Sequence, residues 1–231
     1  MGSATTPRLT GEVIGTALLV FFGVGALLTS GGQGFVAAVA LLVTVTAAYW
    51  VFGGHFNPWI TLASAIRGTV DWLGAVAIIV AQLVGGIIGA VLMWAVFHTD
   101  GVNAGLGVTR VAGNSTTGRG LLGAILAETI AVFLLACVVF AVGESDRLGV
   151  AMGLVYAAGS LAIFVITAAS MNLARTVGPE VVMLLAGKET DWAAVGRIWV
   201  YVVSGVLGAA LAGLLYPMWR PSPAPAAAKD E

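Results

Sequence analysis

Apolar residues run along this chain in six long blocks, at roughly 9–29, 34–52, 72–97, 121–142, 148–166 and 192–216. A helix crosses the hydrocarbon core of a bilayer in about 20 residues, so each block predicts one spanning helix. None shows the ten-residue alternation of barrel strands, which leaves helices as the spanning elements. Two shorter apolar stretches, 59–67 and 173–185, are too short to cross. Each follows an asparagine, Asn57 or Asn172, and asparagine is a favoured N-cap. Pro58 then takes the first helical position, where its missing N–H is no loss. The pattern predicts two half-helices that dip into the membrane from opposite faces and meet near its middle.

The chain also repeats itself. Gly11-Glu12 and the residues after it read like Ala127-Glu128 and its successors; the glutamates lie 116 residues apart and the asparagines 115. Gly86-Ile87-Ile88-Gly89-Ala90 likewise matches Gly205-Val206-Leu207-Gly208-Ala209. These landmarks divide a single domain, 1–218, into units of three spans at about 9–97 and 121–216. Three is odd, so the second unit enters the membrane from the other side. Such inverted repeats place broken helices at the midplane. Small residues at four-residue spacing (Gly11/Gly15, Gly85/Gly89, Gly149/Gly153, Ala209/Gly213) read as close helix crossings. The Pro/Ala-rich stretch 219–231 reads as a disordered tail.

Composition agrees: 59% of the residues are hydrophobic and 9% charged, where a soluble domain carries about 25% charged. The first block has neither a basic flank nor a small-residue cleavage pattern, so it reads as a retained span. A net charge of −1 without a Lys/Arg cluster argues against a nucleic-acid partner. The single cysteine, Cys137, excludes an internal disulfide, and neither His55 nor His98 has a partner at metal-ligand spacing, so no metal or cofactor is expected. Basic residues do not set the orientation. Arg8, Arg67, Arg147, Arg220 and Lys229 fall on one side, with Arg110, Arg119, Lys188 and Arg197 on the other.

No constellation predicts catalysis. Glu12 and Glu128 sit inside spans at matched places and read as acceptors for exposed half-helix backbone. A proton relay, the rival reading, would need a chain of titratable groups that the sequence lacks. Helix N-termini present unpaired N–H groups and a partial positive charge, so two of them aimed at the bilayer centre repel cations there. With the Asn57 and Asn172 amides they would form a pore centre that donates hydrogen bonds. Arg175, one turn into the second half-helix, reads as lining that pore; a salt bridge to Glu180 is the bland alternative.

Gly53-Gly54-His55-Phe56-Asn57-Pro58, Asn172-Leu173-Ala174-Arg175, the following Gly178-Pro179, and the paired glutamates together resemble the aquaporin and glycerol-facilitator family of major intrinsic proteins, over about 9–216. The resemblance implies an all-α membrane protein of six transmembrane helices plus two re-entrant half-helices in an inverted repeat. It also implies a pore within each subunit of a homotetramer in lipid, in the cell (inner or plasma) membrane with both termini cytoplasmic. Water or small uncharged solutes would pass without protons or ions, with no enzyme activity and no cofactor. The pore centre maps onto Asn57, Pro58, Trp59, Asn172, Leu173 and Ala174, with Glu12, Glu128 and His55 supporting the half-helices. His55 is equally open to a pH-gating role. The four outer-constriction positions, counted back from the asparagines, fall on Ala37, Ser160, Ala169 and Arg175.

Departures from the family pattern alter the expectation. Leu173 replaces the second proline, and Trp59 replaces a small residue where the half-helices touch, so Trp59 is expected either to narrow the centre or to be offset by the second box. Three small constriction residues imply a wide opening that admits glycerol, urea or metalloid hydroxides, unless Phe35, Phe164 or the 98–120 loop fills it. Thr176 stands where glycerol facilitators carry Asp, which weakens a plain glycerol reading. Asn114-Ser115-Thr116 is a glycosylation sequon in the outer loop. Two other classes remain: a coupled secondary transporter, which needs an ionisable site near the asparagines, and a closed structural member plugged by Trp59.

Overall fold

The computed structural model describes residues 4–113, 117–187 and 195–220. The 114–116 sequon, Lys188, the start of the last block at Trp192 and the tail from 221 lie outside the described residues. Among the described residues six helices are long and apolar enough to cross a membrane: α1 (Thr6–Thr29), α2 (Gly34–Phe52), α4 (Trp72–Asn103), α5 (Gly118–Val142), α6 (Leu148–Thr167) and α8 (Ile198–Leu215, with a terminal turn to Met218). Two shorter α-helices also lie among the described residues, α3 (Pro58–Ile66) and α7 (Leu173–Leu185).

The blocks and helices agree closely, with one extension. α4 leaves the helical path at His98 (φ 47°, ψ −137°), where its apolar block ends, and then coils on to Asn103. The α1 backbone widens over Leu19–Val24 into π-type turns, and Gly23 there lies against Leu41 of α2.

Small residues let the helices cross closely. Gly85 and Gly89 of α4 lie on the Val13 and Ala17 carbonyls of α1; Gly149 and Gly153 of α6 lie on the Thr46 and Leu42 carbonyls of α2. Gly208 of α8 meets the Thr129 carbonyl of α5 in the same way. In lipid no hydrophobic force draws helices together, so such van der Waals contact is a principal source of association. Large apolar side chains such as Val51, Leu73 and Val165 face outward.

The two half-helices are exchanged between the repeats. The second, α7, leans on α4, the third span of the first repeat, while the first, α3, leans on α8, the third span of the second. Ala174 and Gly178 of α7 pack on Gly86, and Ala63 and Ile66 of α3 pack on Gly213. Each repeat therefore holds the other's re-entrant segment in place.

Candidate functional site: the pore centre and outer constriction

Asn57 and Asn172 adopt nearly the same extended backbone, φ/ψ −152°/118° and −153°/116°. Each caps its own half-helix. The Asn57 Oδ1 accepts from the Trp59 N–H at 2.9 Å, and the Asn172 Oδ1 accepts from Ala174 N–H at 3.0 Å and Arg175 N–H at 3.4 Å. The amide nitrogens reach across: Asn57 Nδ2 donates to the Met171 carbonyl (2.8 Å) and Asn172 Nδ2 to the Phe56 carbonyl (2.8 Å). Phe56 and Met171 directly precede the asparagines and hold positive φ (54° and 49°), a strained conformation for non-glycine residues. Their carbonyls are the acceptors of the two cross-links.

Tyr156 of α6 lies between the asparagines, and sequence reasoning passed over it. Its hydroxyl oxygen accepts from Asn57 Nδ2 at 2.7 Å and from Asn172 Nδ2 at 3.1 Å, and the side chain is buried. A lone tyrosine in an apolar span, one turn from Ser160, was the only available signal.

Behind each tip stands a buried carboxylate. Glu12 accepts from His55 N–H (2.9 Å) and Phe56 N–H (2.7 Å); Glu128 accepts from Ser170 N–H (2.8 Å) and Met171 N–H (2.7 Å). An unsatisfied backbone donor at membrane depth costs several kcal/mol, so each glutamate holds a turn that would otherwise not form. Gln82 Nε2 donates to Glu12 (2.9 Å) and to the Thr61 hydroxyl (2.9 Å), and Thr61 bonds the His55 ring at Nδ1 (2.9 Å). His55 is thereby buried in this network. On the other side Ser170 and Thr176 join hydroxyl to hydroxyl, and Tyr201 donates to the Thr167 carbonyl (2.8 Å).

Ala37, Ser160, Ala169 and Arg175 are all buried. The Arg175 Nη1 donates to the Gly107 carbonyl at 2.8 Å. Gly107 comes from the loop after α4, has φ +69°, and lies where an added Cβ would be 2.1 Å from Val24 Cγ1; only glycine fits this inward bend. A cavity of about 420 Å³ opens beside it, lined in part by Leu27, Gly32, Gly107, Arg110, Phe164 and Ala168. Phe35 is 66% exposed and turned away, whereas the Phe164 ring lies on Gly34 at the start of α2.

Trp59, expected either to narrow the centre or to be offset by the second box, packs against α8. Its backbone N–H donates to Asn57 Oδ1, and its indole lies on Gly205 of α8, where an added Cβ would be 2.1 Å from Cε2. Pro58 is buried beside it, and Leu173 is half-buried.

This geometry has relatives. Residues 3–216 match the profile of the family described as Major intrinsic protein. The chain is 34% identical to Aquaporin-4 of Mus musculus over 222 residues, covering 89% of this chain and 64% of that protein, so it spans less than two thirds of that relative's length. It is also 34% identical to Aquaporin TIP2-3 of Arabidopsis thaliana, covering 89% of this chain and 84% of that protein. The fold superposes on the aquaglyceroporin from Plasmodium falciparum with a TM-score of 0.78 at 21% identity, covering 91% of this chain and 94% of that one. With the profile matched across nearly its whole length, this multi-pass membrane chain belongs to the major intrinsic protein family.

Proposed function

We propose that the protein is a passive channel for water and small uncharged solutes that excludes protons and ions. The observation that carries this reading is the meeting of two asparagine-capped helix N-termini, cross-linked through Asn57 and Asn172. Two positive helix ends at one point repel cations, and amide donors there favour neutral oxygen-bearing molecules whenever one takes the place of the phenol oxygen they hold. The names of the aquaporin and aquaglyceroporin relatives support the same class. Arg175, with the small residues Ala37, Ser160 and Ala169, forms the outer selectivity ring in this reading. Its width favours glycerol, urea or metalloid hydroxides beside water. Glu12, Glu128 and His55 support the half-helices. A homotetramer in the cell membrane, with both termini cytoplasmic, completes the proposal.

A coupled transporter is the less favoured class. Glu12 and Glu128 are committed to backbone N–H groups, and among the described residues no group of three His, Cys, Asp or Glu comes together. Stopped-flow light scattering of proteoliposomes under sucrose, glycerol and urea gradients tests the reading. Flux above empty liposomes without an ion gradient is expected. Flux that requires a proton or sodium gradient would favour the transporter instead.

A further inference from the structure

We propose that Tyr156 is the gate of this pore, its hydroxyl standing where the oxygen of a permeating molecule must pass. This inference rests on the channel reading above.

A carboxamide has two N–H donors. Asn57 directs its pair at the Met171 carbonyl (2.8 Å) and the Tyr156 hydroxyl (2.7 Å), and Asn172 directs its pair at the Phe56 carbonyl (2.8 Å) and the same hydroxyl (3.1 Å). The cross-links between half-helices use one donor from each asparagine. The two donors left for a permeant both end on one phenol oxygen. In this conformation the centre offers a passing molecule no amide N–H.

The phenol also fills space. Tyr156 is 2% exposed, and its ring reaches the meeting point of the half-helices from α6, one helical turn from Ser160. The small residues Ala37, Ser160 and Ala169 therefore do not set the narrowest point; Tyr156 does. Its two bonds to the asparagines are neutral, so a water or solute hydroxyl that reaches the centre exchanges one oxygen acceptor for another. Opening is a movement of this side chain, and the amides then serve the permeant as they served the phenol.

The test compares wild type, Tyr156→Phe and Tyr156→Val in proteoliposomes by stopped-flow water and urea flux, with the reconstituted amount matched by gel filtration and immunoblot. Tyr156→Val removes hydroxyl and ring, and water permeability per protein is expected to rise about tenfold or more, the equivalent of one decade in barrier crossing. Tyr156→Phe frees the amides but keeps the ring, so it is expected to rise less. Variants that conduct like the wild type, with all three above empty liposomes, would overturn the gate and leave the channel standing. Folded protein that conducts in none of the three forms would overturn the channel reading, and the gate with it.

Discussion

The two half-helices are alike at their tips and unlike along their sides. At the tips every element has its counterpart: Asn57 and Asn172 with matching dihedral angles, Phe56 and Met171 with positive φ, Glu12 and Glu128 each taking two backbone N–H groups. Along the sides the partners differ. α7 lays small residues, Ala174 and Gly178, on Gly86 of α4, while α3 lays the Trp59 indole on Gly205 of α8. The supporting spans diverge as well, with Gln82 bonded to Glu12 on one side and Tyr201 bonded to the Thr167 carbonyl on the other. Backbone groups far from water permit few arrangements, which holds the tips to one design. Side packing admits more solutions so long as volumes and shapes fit, and here the Trp59 indole fits because Gly205 faces it.

The largest expected effect breaks a tip. Glu128→Ala strands the Ser170 and Met171 N–H groups, at several kcal/mol for each donor held away from water, and the protein should lose most of its folded yield. Glu128→Gln keeps one acceptor oxygen and should retain a measurable thermal transition in detergent. Equal behaviour of the two variants would contradict the role assigned to the carboxylate.

Next in size is Trp59→Ala. Removing a buried indole costs about 3–5 kcal/mol, which thermal unfolding would report. Flux per folded protein should stay within a factor of two or so, because the indole packs on Gly205 of α8. A large gain in flux would place the indole in the path.

Gly205→Ala and Gly86→Ala sharpen the contrast between sides. Both overpack, at about 1–3 kcal/mol. The Gly205 Cβ meets an indole, so adding Trp59→Ala should restore stability. The Gly86 Cβ would meet the Ala174 backbone carbonyl at 2.3 Å, and no side-chain truncation should rescue it. Differential scanning of the single and double variants reads this coupling.

The smallest effect concerns the outer mouth. Phe164→Ala in a Tyr156→Val background should raise urea and glycerol flux by less than about tenfold, since its ring is one of several groups lining the outer cavity. No change would place Phe164 outside the path.

Much of this architecture was legible in the chain. Block length revealed the spans, asparagine marked both caps and proline the first of them, and the spacing of Glu12 and Glu128 exposed the repeat. All three are local or periodic signals. What escaped depends on contact between distant elements. The direction of the Trp59 indole is decided by Gly205, which belongs to another span and carries no mark of its partner. The Gly107 carbonyl that holds Arg175 comes from a loop without pattern. Tyr156 looked like one aromatic among many, because its meaning lies in two amides contributed by opposite halves of the chain.

The most direct examination of the paired-tip centre is an experimental structure of the Tyr156→Val protein in lipid, at a resolution that shows single waters. A water within hydrogen-bond distance of both Asn57 Nδ2 and Asn172 Nδ2, in the place the phenol oxygen held, is the expected result. A dry centre closed by neighbouring apolar side chains, with the asparagines turned to other partners, would contradict the account.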